Sequence, residues 1–214
     1  TFASGLRSFL RQDPNIIMVG EIRDEETAGL AIQAALTGHL VLSTLHTNSA
    51  AGALPRLLDM KAEPYLLASS ILAVVAQRVV RKVCGACKAP YVPSEEVISE
   101  MKEVLGPLYE AWRETHPEDV KKAQEQNGEI LLYKGGSQDC AECGGTGYKG
   151  RVGIFEVMLI SDQISKMLLE RSSSGDIQKQ AVKEGMILMD QDGYLKALDG
   201  ITTLEEVLRV AKQQ

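Results

Sequence analysis

The sequence predicts an α/β protein that ends in a run of helices, and three observations carry that prediction. Two apolar runs, "IIMVG" and "HLVLSTLH", are joined through the helical stretch "EETAGLAIQAALTG". Continuous apolar strands joined this way point to a parallel sheet covered on both faces. From Asp162 onward the apolar residues recur at helical spacing in four successive segments. Finally, 44% hydrophobic and 24% charged residues over 214 positions are ordinary for a globular chain. That length is enough to bury a core and to form more than one unit.

Taken in order, "IIMVG" reads as a strand and Asp24 as the cap of the helix that follows. In that helix Leu30, Ala34 and Thr37 share a face, and Gly38 stands at its C-terminal end. "SAAGALPRLLDM" and "PYLLASSILAVVAQRVV" continue in helical period, with Pro55 and Pro64 as breaks or first-turn residues. The longest mainly apolar stretch, Tyr65 to Ala76, is too short to span a bilayer and reads as a buried helix. Residues 94–126 are polar and amphipathic, helical in pieces around Pro107 and Pro117. "EILLYKG" is a short strand leading to the glycine-rich corner "CAECGGTGYKGRVG", and "GIFEVMLI" is one more strand. In the helical end, Ser174 and Thr202 are candidate caps, with Glu205 completing a capping box on Thr202.

The net charge of -6 is unevenly placed, since residues 88–139 hold eleven acids against six bases, a balance of -5. Nothing here resembles the basic footprint of a nucleic-acid binder. The acidic segment reads as a solvated surface or as a docking face for a basic partner. No signal peptide is visible, and a start at Thr1 leads us to expect an excised piece of a longer protein.

The candidate site lies where a parallel sheet places its ligands, beyond the carboxyl ends of the strands. The first strand delivers Glu21 there, and the second delivers Thr44, His46 and Thr47. An acid able to hold a magnesium-bound water, beside an imidazole able to contact a phosphate, suits phosphoryl transfer. The plainer readings are a surface acid after a strand and a hydrogen-bonded loop histidine. His39 is excluded on geometry. Seven residues of strand span roughly 23 Å at about 3.3 Å each, and an odd separation points the two side chains to opposite faces. His39 is expected to be structural.

These residues carry a resemblance. "LRQDPNIIMVGEIRDEETAGLAIQAALTGHLVLSTLHTNSA" resembles the core of the secretion ATPase superfamily, the hexameric motors of type II secretion and type IV pili. "MVGEIRD" is similar to that family's Walker B motif and "TGHLVLSTLHT" to its histidine box. The match is strong over residues 1–83, and "GYKGRVGIFEVMLI" with "DGYLKALDGITTLEEVLRV" supports it. The resemblance implies that Glu21 positions magnesium and the attacking water, and that His46 contacts the γ-phosphate. One departure matters: the P-loop G-x-x-x-x-G-K-[ST] is absent from these 214 residues, as is the acidic box that follows it. The expectation is a C-terminal part of a motor that lacks its nucleotide cradle. Arg7, Arg11 and Arg23 also fall near this edge and read as salt-bridged framework arginines.

All four cysteines form two C-x-x-C pairs, Cys84 with Cys87 and Cys140 with Cys143, separated by 52 residues. Two such knuckles can supply the four thiolates of a closed structural zinc site. Disulfides and a redox pair are the alternatives. Assembly-type members of the resembled family carry such a tetracysteine element and retraction members lack it, so the resemblance implies an assembly or secretion motor. A zinc there would clasp the two ends of the acidic segment.

The resulting expectation is an incomplete RecA-like α/β core (1–83), a tetracysteine zinc-binding insert (84–150), and a strand plus helical C-terminal domain (151–214). By resemblance the intact protein is a homo-hexameric ATPase that uses ATP and Mg. It would work with an inner-membrane platform protein and a cytoplasmic adaptor of a bacterial secretion or pilus machine, peripheral at the inner membrane. The fragment alone is expected to be inactive, and no nucleic-acid partner is expected. The rival is a non-catalytic, zinc-stapled interaction module on an α/β scaffold.

Overall fold

A computed structural model of the chain describes residues 14–211 together with Gly5, Ser8, Phe9 and Gln12. It begins with β1 (Ile16–Val19), α1 (Glu25–Leu36) and β2 (Leu40–Ser43). β1 and β2 are parallel, in register from Ile16↔Leu40 to Val19↔Ser43. Asp24 caps α1 by accepting from the Thr27 N–H at 2.8 Å, as its sequence position predicts. The helix ends at Thr37, and Gly38 follows with φ 98°, a conformation that suits glycine. One face of the sheet is covered and the other is not, which departs from the expected two-sided burial. Ile17 and Val19 are buried, whereas Ile16 and Met18 are 62% and 79% exposed.

α2 (Ala50–Asp59) starts at Ser49, whose hydroxyl accepts from Gly52 N, and Pro55 lies inside it. α3 (Pro64–Ser70) carries Pro64 in its first turn, where the missing N–H is not needed. The expected helix does not continue. Ala73–Val83 is instead β3, an eleven-residue strand. The reason lies in composition: Val74, Val75, Val79, Val80 and Val83 are β-branched and favour strand over helix. An apolar run of this length has no distinctive periodicity to arbitrate.

β4 (Lys88–Tyr91) pairs antiparallel with β5 (Leu132–Gly135), from Lys88↔Gly135 to Tyr91↔Leu132. Between them lie α4 (Glu95–Leu105), α5 (Pro107–Thr115) and α6 (Pro117–Glu125). Pro107 and Pro117 each open a helix, as read from the sequence. β6 (Tyr148–Leu159) pairs with β3. α7 (Asp162–Leu169), α8 (Ser174–Lys183), α9 (Met189–Leu198) and α10 (Leu204–Ala211) complete the chain. Two caps sit beside the expected residues. Ser173, not Ser174, caps α8. At α10 the Thr203 hydroxyl accepts from Glu206 N, while Thr202 is buried and donates to the Arg81 carbonyl.

The chain divides into two compact units. One holds the described residues up to Ala76 with Val157–Met186; the other holds Gln77–Glu156 with the described residues from Ile187. In the first, α2 packs on α8 and α3 on α7. In the second, residues of the central segment and of the helical end share one core. Met101, Leu105, Tyr109 and Trp112 meet Ile130, Leu132, Tyr194, Ala197, Leu198 and Val207. Its aromatics are polar-satisfied, as buried Tyr and Trp require. The Tyr109 hydroxyl donates to Glu129 at 3.0 Å, Trp112 Nε1 to Asp199 at 2.8 Å, and the Tyr194 hydroxyl to Glu100 at 2.8 Å. Burial, reinforced by these acids, pushes both tyrosine hydroxyls above their ordinary range.

Candidate functional site

Glu21 and His46 follow the C-terminal ends of β1 and β2, at the edge where a parallel pair presents its ligand residues. The pairing runs on past both strands. Ile22 N donates to Thr44 O at 3.0 Å, and the Thr44 hydroxyl donates to Gly20 O at 2.7 Å. These bonds bring the two turns side by side, so His46 Nε2 lies 3.0 Å from Glu21 Oε2. Arg23 Nε reaches the same oxygen at 2.6 Å. Its hydrogen bond is the main cause that holds the Glu21 carboxyl below the usual carboxylate range, with His46 adding to it. Glu21 is therefore ionised at neutral pH. The site is open, with the His46 side chain 80% exposed and that of Glu21 35%. Such a pair can accept a proton, orient water or bind at the margin of a polyanion.

The other residues of this edge are accounted for. Thr47 donates through its hydroxyl to Ser49 O at 3.1 Å, helping to set the cap of α2. His39 Nδ1 lies 2.9 Å from Ala34 O and 3.1 Å from the Thr37 hydroxyl. It closes the end of α1, a structural task. Arg7 and Arg11 lie outside the described residues.

The second cluster is sulfur. The Sγ atoms of Cys84, Cys87, Cys140 and Cys143 all lie within 4.8 Å of one another. Cys84 and Cys140 are 3.9 Å apart and Cys87 and Cys143 3.7 Å, far beyond a disulfide bond. A tetrahedral zinc with about 2.3 Å to each sulfur needs edges of about 3.8 Å, and the four thiols fit it. Backbone contacts draw the knuckles together. Cys84 N donates to Gly147 O at 2.8 Å, and Gly136 N to Cys87 O at 2.7 Å. Gly135 and Gly147 touch so closely that a Cβ on Gly135 would sit 2.3 Å from the Gly147 Cα. Despite a backbone hydrogen bond from Cys143, burial and the facing thiols push the Cys140 thiol up to about 11, whereas at Cys143 burial is outweighed by the Gly147 N–H and the facing thiols, which bring that thiol down to about 6. A thiolate there suits metal ligation.

The chain matches the family described as "Type II/IV secretion system protein" over residues 1–209. It belongs to that family. Among its relatives, the type II secretion system protein E of Pseudomonas aeruginosa is 46% identical over 214 residues, all of this chain and 38% of that protein. The type IV pilus assembly ATPase PilB of Thermus thermophilus is 46% identical over 208 residues, 97% of this chain and 21% of that protein. The chain thus spans well under half the length of these relatives. In fold it is similar to the pilus retraction motor PilT with bound ADP, at TM-score 0.58 and 24% identity over 98% of this chain and 43% of PilT. It is equally similar to the ATPase DotB of Legionella pneumophila, at TM-score 0.58 and 22% identity over 100% of this chain and 43% of DotB.

Sequence spacing carries no sign of one further charged cluster in this chain. Arg81 and Glu206, 125 positions apart, pair through side chain and backbone, and Arg209 joins them. No local pattern links residues so distant.

Proposed function

We propose that this chain is the C-terminal region of a hexameric motor that hydrolyses ATP to drive pilus or pseudopilus assembly. Membership of the secretion ATPase family supports the reading, and one observation carries it: the approach of Glu21 and His46 beyond β1 and β2. In this reading residues 1–83 belong to a RecA-like core whose sheet has further strands. Residues 84–150 are a zinc-binding insert, and residues 151–214 a strand with a helical C-terminal domain.

Within the whole protein, the ionised Glu21 would orient the attacking water and stand beside magnesium. His46 would donate a hydrogen bond to the terminal phosphate. Magnesium would supply charge neutralisation of the phosphates. Arg23 holds Glu21 charged and fixes its direction. The donor set fits that use, being an ionised carboxylate and an exposed imidazole with solvent in front of them. Cys84, Cys87, Cys140 and Cys143 would hold a structural zinc that contributes stability and no chemistry. The P-loop motif is absent from the 214 residues, so these residues alone are expected to show negligible hydrolysis. The intact motor would act as a homo-hexamer with an inner-membrane platform protein and an adaptor, on the cytoplasmic side of that membrane. Among the described residues no helix is long and apolar enough to cross a membrane.

The test is Glu21→Gln in the full-length protein, with ATP turnover and nucleotide affinity measured together. Turnover should fall by about 100-fold or more with affinity kept, since the amide matches the carboxylate in size but not in charge. Near-normal turnover would reject the role of Glu21 and favour a non-catalytic, zinc-stapled module.

A further inference from the structure

β3, β6 and α10 bring Arg81, Arg151 and Arg209 to the walls of one open cleft of about 590 Å³, floored by Val79 and Val80. Two of the arginines are held in place. The Glu206 side chain, only 2% exposed, accepts from Arg209 Nε and Nη2 at 2.9 Å each and from the Arg81 backbone N–H at 3.1 Å. The Arg81 guanidinium also donates to Glu206 and lies over Tyr148, its Cζ 4.0 Å from the ring centroid. Tyr148 is fixed in turn through its hydroxyl, 3.0 Å from that of Thr203. The two guanidiniums are thus preorganised, yet each side chain remains 49% exposed. Arg209 commits Nε and Nη2 to Glu206 and leaves its Nη1 hydrogens open. Arg151 is exposed and has no ion pair among the described residues.

Three cations therefore line the cleft against one carboxylate, leaving an excess of two positive charges. Held at one wall without a matching acid, like charges repel, and an anion in the cleft relieves that. Guanidinium forks match the planar and tetrahedral oxygens of carboxylates and phosphates, and phosphate best suits convergent forks. A single carboxylate would balance half the excess; a phosphoryl dianion balances all of it.

We propose that Arg81, Arg151 and Arg209 form a receiving site for a phosphate-class oxyanion, with the first and last preset by Glu206. The inference is independent of Glu21 and His46 and stands or falls apart from the ATPase reading. Its test is titration of the zinc-loaded 214-residue chain with pyrophosphate, followed by NMR of the arginine Nε–H groups. Saturable shifts of Arg81 and Arg209 are expected, with none from chloride or acetate at equal ionic strength. Arg151→Gln, a change at an exposed side chain, should weaken pyrophosphate about 10-fold, equal to about 1.4 kcal/mol. Phosphatidylcholine vesicles with and without phosphatidic acid distinguish the source. Sedimentation with the acidic vesicles, competed by pyrophosphate and lost in Arg151→Gln, would assign a lipid headgroup. Pyrophosphate binding without vesicle binding would assign a free phosphate. Shifts no larger than those from chloride, or an Arg151→Gln affinity equal to the parent's, would overturn the site.

Discussion

The sheet of β1 and β2 and the core around Tyr109 draw on similarly apolar residues, yet they finish differently. Ile16, Met18, Leu40 and Leu42 stand exposed on their strands, while Met101, Leu105, Tyr109 and Leu132 are almost wholly buried. The contrast teaches how differently the two regions close their apolar surfaces. Around Tyr109, helices and strands from both ends of the second unit close over one another, and the polar tips of its aromatics find acids. Beside β1 a contiguous apolar face meets solvent, the kind of surface that proteins use for association. The first region owes its order to α1 and the strand register on one side only. In the second, Met101, Leu105 and Tyr109 are at most 1% exposed.

The largest test of that contrast is removal of metal. Each chain should carry one zinc by elemental analysis, and chelation should lower the stability of the second unit by on the order of 5 kcal/mol in urea unfolding. A protein purified without chelator and free of zinc would contradict the site. Cys84→Ser should act the same way while leaving the Glu21–His46 geometry intact, read as unchanged histidine NMR shifts.

Next comes Tyr109→Ala, expected to cost about 3–5 kcal/mol by opening a cavity in the closed core. Loss of a distinct Trp112 fluorescence shift before global unfolding would locate the damage there. A cost below about 1 kcal/mol would mean that the core is looser than its packing implies.

A smaller effect is expected from Glu206→Gln, about 2 kcal/mol, since charged hydrogen bonds from two half-exposed arginines are weakened. The sign with pH is fixed by direction. Hydrogen bonding from Arg209 and then Arg81, against a burial cost, holds the folded Glu206 carboxyl far below its unfolded value. Its contribution is full above the unfolded carboxylate range of about 4.3 and fades as pH falls below it. The parent should therefore lose its advantage over Glu206→Gln on acidification, checked by urea midpoints from pH 7 to pH 3. A gap that stays constant would remove Glu206 as the cause.

The smallest effect should be Met18→Ser, within about 0.5 kcal/mol in this chain because the side chain is exposed. In a longer protein whose sheet continues past β1, the same change should cost about 2 kcal/mol or more. Equal costs in both would argue that nothing covers this face.

Much of the architecture was legible in local pattern. Asp24 announced α1, Pro107 and Pro117 announced two helices, and apolar runs announced β1 and β2. The helix expected over residues 73–76 and beyond failed because a Val-rich apolar run suits either state, and pairing with β6 decided it. The shift of the caps to Ser173 and Thr203 has a similar origin: adjacent hydroxyls compete, and the exact backbone turn selects one.

By itself, then, the sequence determined what is encoded within one strand or one helix turn: strand-end acids, capping residues, C-x-x-C knuckles and the family motifs. These are short-range because a few bonds fix each of them. Only the tertiary structure decided which distant groups meet. It set the 3.0 Å approach of the expected neighbours Glu21 and His46 and the facing of the two expected cysteine pairs, and it alone joined Arg81 to Glu206 across 125 positions. Such meetings depend on how whole elements pack and close their backbone bonds, and no spacing along the chain records that.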